Sequence, residues 1–560
     1  MGVIRTGWLR APSILICAAL LGLSAPALYA QSAAERRLVN AWEVHGEIRP
    51  AAGTETAVRE TFPSFLEYQD LVMFHPRFGY YASGRVSFTS DYQTFPNVLN
   101  PYFGHMIAEQ MFRMWQGMRQ AGTLREGEPF TVAEFGAGNG SLAESILEYV
   151  ERQEKENPER LWRDFAAQVV YACYDRSPAL SKVQRDRNAR FGKRFEAREA
   201  DATDPTAAIR PGSLKGVILS NELPDAFSVQ KVILSADGSA EVAFVAPSLA
   251  RQSWDRFKKS VPGPVAESVE KGDRSIRGRF FPGKPDHVYL TRQAFVALLE
   301  ALVSSKEYDS AAESLQFNEL YVPAGVIPEL ADHLRRYARL YAIELARTER
   351  GVVTYINPGV EKFIQGAGHI LRAGYVITLD YGSNWEGIIS QDSHPHFRTY
   401  GPAHMEENRT DDSDWGDGQR PEDRDTSDPY RGPTLNDMTT DVNFSLLEAE
   451  GRMAGLTTAY FGAQAALRRG TPVVLDEPPP DRQSSDALVS EYRTWAGNFE
   501  TDDNYKLMLQ QKEGTDPAYL YPEGNSEPLA SDPNALSESQ RERAAQIEKR
   551  LRAPVEPPVR

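Results

Sequence analysis

The sequence predicts an α/β fold in which a parallel sheet has helices on both faces. Short apolar segments alternate with amphipathic ones from residue 130 to residue 220, the pattern of buried parallel strands and their connecting helices. A glycine-rich turn separates the first of these strands from its helix, and an acidic residue ends the next strand. In open α/β sheets both features lie at the carboxyl edge of the sheet, where ligands bind.

The individual elements follow from hydrophobic periodicity. Core strands are expected at 130–135, 167–174, 195–199, 215–220, 351–356 and 375–380. The helices that connect or precede them are expected at 102–118, 141–153, 179–191 and 359–371. Further helical patterns occur at 287–304, 329–348, 444–456, 462–469 and 536–551.

The chain has 560 residues, which is too long for one ordinary domain. The alternation of strands and helices stops after residue 230, where a hairpin is expected to turn at Asp237-Gly238. We therefore expect an inserted subdomain there. The predicted division is an export signal at 1–30, an N-terminal segment with the ligand-binding core at 31–230, the insertion at 231–345, the rest of the core at 346–470 with an acidic loop at 405–430, and a polar C-terminal extension at 471–560.

The chain is acidic, with a formal net charge of −16. Binding of nucleic acid needs a basic surface that displaces counterions, so no nucleic-acid partner is expected, and a basic protein partner suits the charge better. The acidic loop carries ten acids and three bases between Glu406 and Asp428, and we interpret it as a solvated loop. Its Asp412 and Asp414 lack the spacing of a calcium loop, so no metal site is expected.

Residues 1–30 have the plan of a secretory signal peptide. Arg5 and Arg10 precede an apolar run at 11–23, which is too short to span a bilayer. Small residues follow this run, as at a signal-peptide cleavage site. Export to the periplasm or out of the cell is therefore expected, with no membrane span in the mature chain. An uncleaved membrane anchor and a transit peptide remain alternatives, as does a cytoplasmic location.

The glycine-rich turn contains Glu134, Gly136, Gly138 and Gly140. Glycines let backbone amides approach a ligand closely, and the following helix N-terminus adds a positive dipole. The spacing differs from the dinucleotide pattern G-x-G-x-x-G, and the Lys-Ser/Thr pair of a phosphate loop is missing. E-x-G-x-G-x-G is typical of class I methyltransferases, in which it abuts the amino-acid half of S-adenosylmethionine. A structural turn without a ligand is the alternative.

Two acids end the next two strands. Asp175 can accept both hydroxyls of a ribose. Its alternative role is to cap the helix that follows Ser177-Pro178. Asp201 can contact the amino group of an adenine, and an ordinary loop acid is the alternative.

Asn221, Glu222 and Asp225 follow the strand at 215–220. Carboxylates and an amide that emerge together from a buried strand are costly to bury without partners. Because substrates bind at the carboxyl ends of such strands, these three residues are the candidate catalytic residues.

This segment resembles the N-E-L-x-D-A motif of the MidA-type methyltransferases, the family that includes a mitochondrial complex I assembly factor. Further similarities run in the same order along 60–230 and 350–467. They comprise the segments 65–81, 90–108, 175–178, 379–382 and 437–444, followed by Gln464. The chain departs from the family's pattern at Ser90, Asn97 and Asn443, and it has Asp175 where glutamate is common.

The resemblance implies a Rossmann-like class I methyltransferase sheet, S-adenosylmethionine as the cofactor, and an arginine on a protein as the methyl acceptor. Glu222 and Asp225 would orient the guanidinium, with Asn221 at the edge of the cofactor or substrate. Tyr81, with its neighbour Tyr80, would offer an aromatic face to the sulfonium, and core packing is the alternative. His404 is interpreted as an exposed loop histidine.

Two other functions remain open at this point. A non-catalytic exported binding or assembly protein that retains the fold would explain the export signal, because S-adenosylmethionine is made in the cytoplasm. An NAD-dependent oxidoreductase is disfavoured by the glycine spacing. The oligomeric state is not defined by the sequence.

Overall fold

The computed structural model describes residues 47–81, 94–157, 160–281, 284–390, 396–400, 428–430, 432–512, 526–529 and 535–553. The predicted export signal, His404 and most of the acidic loop lie outside these ranges. None of the helices within them has the length and the apolar run that crossing a bilayer requires.

The strands of the described ranges are numbered in chain order. They are β1 Glu47–Ile48, β2 Phe130–Phe135, β3 Val169–Asp175, β4 Phe195–Glu199, β5 Leu214–Asn221, β6 Gln230–Leu234, β7 Ala240–Ala250, β8 His287–Tyr289, β9 Leu315–Pro323, β10 Val352–Ile356, β11 Leu371–Ser383, β12 Phe397–Tyr400, β13 Asp437–Thr440, β14 Val442–Asn443, β15 Leu456–Ala463 and β16 Tyr505–Lys512.

The α-helices of the same ranges are α1 Glu55–Thr61, α2 Phe65–Phe74, α3 Phe95–Val98, α4 Tyr102–Gln120, α5 Ser141–Glu156, α6 Arg160–Gln168, α7 Pro178–Asn188, α8 Pro205–Ala208, α9 Arg251–Phe257, α10 Gly263–Arg279, α11 Arg292–Leu302, α12 Tyr308–Glu313, α13 Pro328–Arg336, α14 Ala338–Thr348, α15 Pro358–Ile370, α16 Trp385–Ser390, α17 Phe444–Met453, α18 Asp486–Thr501 and α19 Glu538–Arg552.

The larger sheet has eight strands in the order β15-β16-β11-β5-β2-β3-β4, with β14 beside the end of β11. The five strands from β4 to β11 run parallel to one another. Helices pack on both faces, because side chains alternate along each strand: Val217 on β5 belongs to one apolar core and Ile218 to the other. The predicted α/β fold is confirmed, and the carboxyl ends of β2, β3 and β5 meet at one edge.

A second sheet has the strand order β1-β9-β7-β6-β10, with β8 beside β7. Its hairpin of β6 and β7 turns at Asp237-Gly238, as predicted, and pairs Val232 with Val242. The predicted strand at 351–356 forms as β10, but it lies antiparallel to β6 in this sheet instead of in the parallel core. The expectation of a sixth core strand there is therefore wrong, because this segment pairs with the free edge of β6.

Three helical predictions also need correction. The segment 287–304 begins as strand β8, and its helix starts only after Thr291, whose hydroxyl caps it by accepting from the Ala294 N–H at 3.2 Å. The pattern at 329–348 forms two helices that meet at Tyr337. The segment 462–469 is the end of β15 followed by a short 3₁₀ turn, because β15 pairs with a strand from far along the chain.

That distant strand is β16, which lies antiparallel between β11 and β15. The expectation of a polar extension at 471–560 is therefore wrong for 505–512. Helix α18 adds the buried side chains Tyr492 and Phe499 to the core on one face of the sheet. The helix predicted at 536–551 forms as α19. The larger sheet therefore contains a strand from a C-terminal segment whose composition is that of a solvated tail.

Candidate active site

A cavity of about 280 Å³ opens at the carboxyl ends of β2, β3 and β5. Six of the ten residues predicted from the sequence line it, namely Tyr81, Gly136, Gly138, Asp175, Asp201 and Glu222. The other four are close in the chain but are not among the lining residues, namely Glu134, Gly140, Asn221 and Asp225. Apolar parts of the wall come from Leu180, Ala202, Leu223 and Phe227.

The glycine turn keeps one side of the cavity free of side chains. Gly136, Gly138 and Gly140 have φ angles of 72°, 51° and 77°, a region that favours glycine. A Cβ on Gly136 would lie only 2.7 Å from Leu223 Cδ1. A Cβ on Gly140 would instead lie 2.9 Å from Asn188 Nδ2 on helix α7, so Gly140 serves packing between the turn and that helix.

Asp175 ends β3 with its carboxylate fixed at the cavity wall. Its Oδ1 accepts the Ser177 N–H at 2.8 Å, and its Oδ2 accepts from the Gln184 amide at 3.4 Å. Gln184 also donates to the Gly138 carbonyl at 2.9 Å, which ties the acid to the glycine turn. Burial raises the pKa of Asp175 to about 6. The helix cap belongs to Ser177, whose Oγ accepts the Leu180 N–H, so Asp175 is left to face the cavity.

Glu134 is buried within β2. Its Oε2 accepts the Tyr171 hydroxyl at 2.8 Å and the Cys173 thiol at 3.6 Å. Burial raises the pKa of Glu134 to about 7 and raises the pKa of the Cys173 thiol well above its usual value. The structure therefore places Glu134 as a support of the strand that carries the turn, with its carboxylate bound to β3.

Asp201 lies at the mouth of the cavity and is about half-exposed. Its Oδ1 accepts both the backbone N–H of Thr203, at 2.8 Å, and the Thr203 hydroxyl, at 2.7 Å. Its Oδ2 lies 3.8 Å from Arg176 Nε. One carboxylate oxygen is thus engaged in a local turn, and only the other is available to a ligand.

Glu222 lines the cavity from a strained backbone position, with φ of 46°. Its N–H donates to the Leu379 carbonyl at 2.8 Å, which fixes the residue against β11. The Asn221 amide donates to Glu222 Oε1 at 3.4 Å. Burial, together with the charges of Asp225 and Asp437, raises the pKa of Glu222 to about 8.

Asp225 is buried beside the cavity. Its Oδ2 accepts the Tyr381 hydroxyl at 2.7 Å, and its N–H donates to Asp380 Oδ2 at 3.3 Å. Burial raises the pKa of Asp225 to about 6 and raises that of Asp380 well above its usual value. On β16, Tyr505 is paired with Tyr381, with ring centroids 5.8 Å apart, so the C-terminal strand reaches the edge of this acidic group.

Tyr81 and Tyr80 have different surroundings. Tyr81 lines the cavity, stacks on Phe74 with centroids 5.6 Å apart, and donates its hydroxyl to Asp437 Oδ1 at 2.9 Å. Tyr80 is only 1% exposed and belongs to the core. Tyr80 therefore packs in the core and does not offer its ring to a ligand in the cavity.

Two of the residues that depart from the family's pattern, Asn97 and Asn443, have structural roles. Asn97 accepts the Ser141 hydroxyl at 3.4 Å near the glycine turn. Asn443 caps helix α17 by accepting the Leu446 N–H at 3.2 Å, a task that aspartate also performs. Ser90 lies outside the described residues.

Three parts of the wall are missed by reasoning from the sequence. Helix α2 and the start of α15 line the cavity, contributing Leu66, Asp70, Phe74, Pro358, Gly359 and Lys362. The similarity of segment 65–81 to the family's N-terminal signature indicates that this segment matters. Helical periodicity, however, does not show against which sheet the helix packs. Arg176, between Asp175 and Ser177, is also part of the wall.

The residues present fit S-adenosylmethionine. Backbone without side chains forms the wall at Gly136 and Gly138, Asp175 presents a carboxylate, and the apolar wall suits a base. Within the described residues, no group of His, Cys, Asp and Glu side chains could hold a metal ion.

Residues 106–462, more than half of the chain, match the family described as "Putative S-adenosyl-L-methionine-dependent methyltransferase". This match agrees with the MidA-type resemblance and favours methyl transfer over hydride transfer. No curated protein matches the chain.

Two solved structures from Burkholderia thailandensis are similar to the chain. A "likely methyl transferase" bound to S-adenosyl-homocysteine is 19% identical, with 88% of this chain and 95% of that chain covered and a TM-score of 0.52. The native structure of an uncharacterized protein has the same identity and coverage and a TM-score of 0.48. The first supports the class I methyltransferase fold. With its site geometry and the family match, the chain belongs to the S-adenosyl-L-methionine-dependent methyltransferases, enzymes that use S-adenosylmethionine as cofactor.

Proposed function

We propose that the enzyme transfers the methyl group of S-adenosylmethionine to an arginine side chain of another protein. The observation that carries this proposal is a group of three carboxylates, in which Glu222 lines the cavity and Asp225 and Asp437 are buried beside it. In the described part of the chain, no lysine or arginine forms an ion pair with Glu222 or Asp225, and the nearby Arg398 binds Asp441 at 2.6 Å. A guanidinium could form charge-assisted hydrogen bonds with Glu222 and Asp225.

The cofactor, when bound, supplies a methyl group on a positively charged sulfur. The chain's part is to bind it, to align it with the acceptor and to exclude water. The turn at Gly136 and Gly138 would take the amino-acid part of the cofactor, and Asp175 would accept the ribose hydroxyls. Phe74 and Tyr81 place stacked rings along the same cavity, a surface that suits a cation.

Glu222 and Asp225 would act on the acceptor. During transfer a carbon–nitrogen bond forms, a carbon–sulfur bond breaks, and the acceptor nitrogen loses a proton. In the free enzyme Glu222 is mostly protonated at neutral pH, because its pKa is raised to about 8. A guanidinium beside it would favour the charged carboxylate, which could then take the proton. Asp225 Oδ1 is buried without a hydrogen-bond partner among the described residues, so it could accept a guanidinium N–H once the side chains between it and the cavity move. Asn221 would keep the Glu222 carboxylate in place.

The test uses the purified protein with tritiated S-adenosylmethionine and an arginine-rich peptide, followed by acid hydrolysis and amino-acid analysis. We expect the label in methylated arginine, and no label when lysine replaces arginine in the peptide. Glu222→Gln should lower the rate about 100-fold, because it removes the charge that orients the guanidinium and the group that takes the proton. The cofactor Kd should not change.

Glu349→Gln is the matched control, because Glu349 is exposed and shares the left-handed backbone of Glu222, with φ of 56°. Label in another amino acid would assign a different acceptor and refute the arginine proposal. Wild-type activity of Glu222→Gln would remove Glu222 from the acceptor site.

We also propose that residues 1–30 direct export of the chain. The support is their charged start, short apolar run and small residues. Fractionation of cells that produce the full chain, with N-terminal sequencing of the mature form, tests this. A cytoplasmic protein that keeps residues 1–30 would refute it and would place the enzyme with its cofactor supply.

A further inference from the structure

Helix α2 forms a wall of the cofactor cavity although it precedes the matched family segment of 106–462. Leu66, Asp70 and Phe74 follow one another at four-residue intervals, so they lie along one face of the helix. All three line the cavity. The face of α2 toward the cavity is therefore continuous over two turns.

This helix is attached to elements outside the parallel sheet. The Gln69 side chain accepts the Val229 N–H at 3.0 Å and donates to the Met438 carbonyl at 3.4 Å. The N-terminus of the helix is closed by a capping box of Ser64 and Glu67. Because Gln69 is fully buried, α2 is held to the segment before β6 and to β13.

Arg176 connects this wall to the sheet. It follows Asp175 directly, and its Nη1 lies 3.0 Å from Asp70 Oδ1 on α2. Its Nε lies 3.8 Å from Asp201 Oδ2, just after β4, and its guanidinium lies 4.8 Å from the centre of the Phe74 ring. One side chain thus touches both sides of the cavity mouth.

We infer that Arg176 fastens helix α2 across the cofactor cavity and thereby sets how long the cofactor stays bound. The Arg176–Asp70 pair is about half-exposed, and such pairs contribute little on their own. A ligand in the cavity displaces water from around the pair. The ion pair and the contact of Arg176 with the Phe74 ring are stronger when water is excluded. The contact therefore matters in the complex more than in the free enzyme. This inference rests on the cofactor alone and not on the proposed acceptor.

The test measures the Kd of S-adenosylhomocysteine by calorimetry, and the dissociation rate of tritiated S-adenosylmethionine in a chase with unlabelled cofactor. Arg176→Ala should raise the dissociation rate and the Kd about fivefold. The thermal unfolding temperature of the free enzyme should not change. Arg198→Ala is the matched control, because Arg198 is a half-exposed arginine paired with Glu196 at 2.9 Å and is not a lining residue.

Asp70→Asn and the double variant complete the test. If the contact carries the effect, Asp70→Asn should weaken binding in the same direction, and the double variant should be no weaker than Arg176→Ala. An unchanged dissociation rate in Arg176→Ala, or an equal effect of Arg198→Ala, would overturn the inference. Additive effects of the two substitutions would also overturn it, because they would show that Arg176 and Asp70 act separately.

Discussion

The Tyr381 hydroxyl donates to Asp225 Oδ2 at 2.7 Å, and this bond joins the end of β11 to the turn after β5. The two residues come from segments that lie far apart in the chain, yet the parallel pairing of β5 with β11 brings their carboxyl ends together. Tyr381 is therefore the neutral donor that keeps the Asp225 carboxylate in one orientation.

Tyr381→Phe tests this relationship. It leaves the ring in place and removes the donor, so the pKa of Asp225 should rise further and its orientation should be lost. We expect the rate of methyl transfer to fall about tenfold, with no change in cofactor Kd. Tyr492→Phe is the control, because the Tyr492 hydroxyl is buried without a partner among the described residues. Equal activity of the two variants would show that Tyr381 only packs.

Gly136→Ala should abolish tight cofactor binding. The substitution strains a backbone with φ of 72° and places a methyl group 2.7 Å from Leu223 Cδ1, at the cavity. We expect at least about a tenfold increase in the Kd of S-adenosylhomocysteine. Gly122→Ala has the same backbone cost, with φ of 73°, but its Cβ meets nothing within 4 Å. Calorimetry on both variants separates the effect on the cavity from general strain, and normal binding by Gly136→Ala would contradict the assigned turn.

Cofactor binding should weaken as the pH falls through about 6. The pKa of Asp175 is raised to about 6, so its carboxylate gains a proton below this pH and can no longer accept two ribose hydroxyls. The Kd of S-adenosylhomocysteine, measured between pH 5 and pH 8, should therefore rise toward the acid end. Asp175→Asn should remove this dependence and bind weakly throughout. Asp201→Asn should keep it, because Asp201 is about half-exposed at the cavity mouth and has no assigned contact with the ribose. A pH-independent wild type would contradict the ribose role of Asp175.

The stability of the free enzyme should fall as the pH rises from 5 to 8. The pKa of Glu222 is raised from the usual 4.5 to about 8, so between these values the folded state holds a proton that the unfolded state has released. The free energy of unfolding therefore decreases with pH over this window. Glu222→Gln should be more stable than the wild type at pH 8, by about 1 kcal/mol, since the partly exposed side chain reduces the burial cost. Urea denaturation at pH 5 and pH 8 measures this difference, with Glu349→Gln as the control, and a steeper decline in Glu222→Gln would contradict it.

Much of the site is predictable from the sequence, because its residues follow strands directly. Gly136, Asp175 and Glu222 each come just after or at the end of a strand of the parallel sheet. Parallel strands bring such positions to one edge whatever the lengths of the connecting segments. Local periodicity therefore suffices to find them, and the structure places all three on one cavity.

The rest depends on contacts between distant parts of the chain. The pairing of β10 with β6 and of β16 with β11 and β15 is decided by which strand edges are left free, and local composition does not record this. The position of α2 over the cavity likewise depends on buried hydrogen bonds of Gln69. Glu134 belongs to the predicted cofactor motif, yet its carboxylate accepts a hydrogen bond from Tyr171 on β3 and does not line the cavity.

The place of β16 has a consequence for how the polypeptide is made. Strand β11 ends at Ser383, and its antiparallel partner begins only at Tyr505. At about 5–20 residues per second, a ribosome needs on the order of ten seconds to synthesise the intervening chain. Throughout that time β11 presents an open edge that can recruit other chains, and β15 adds a second one once it has been made. A fragment that stops at residue 462, where the family match ends, lacks β16, so we expect it to be less soluble than the chain through residue 512.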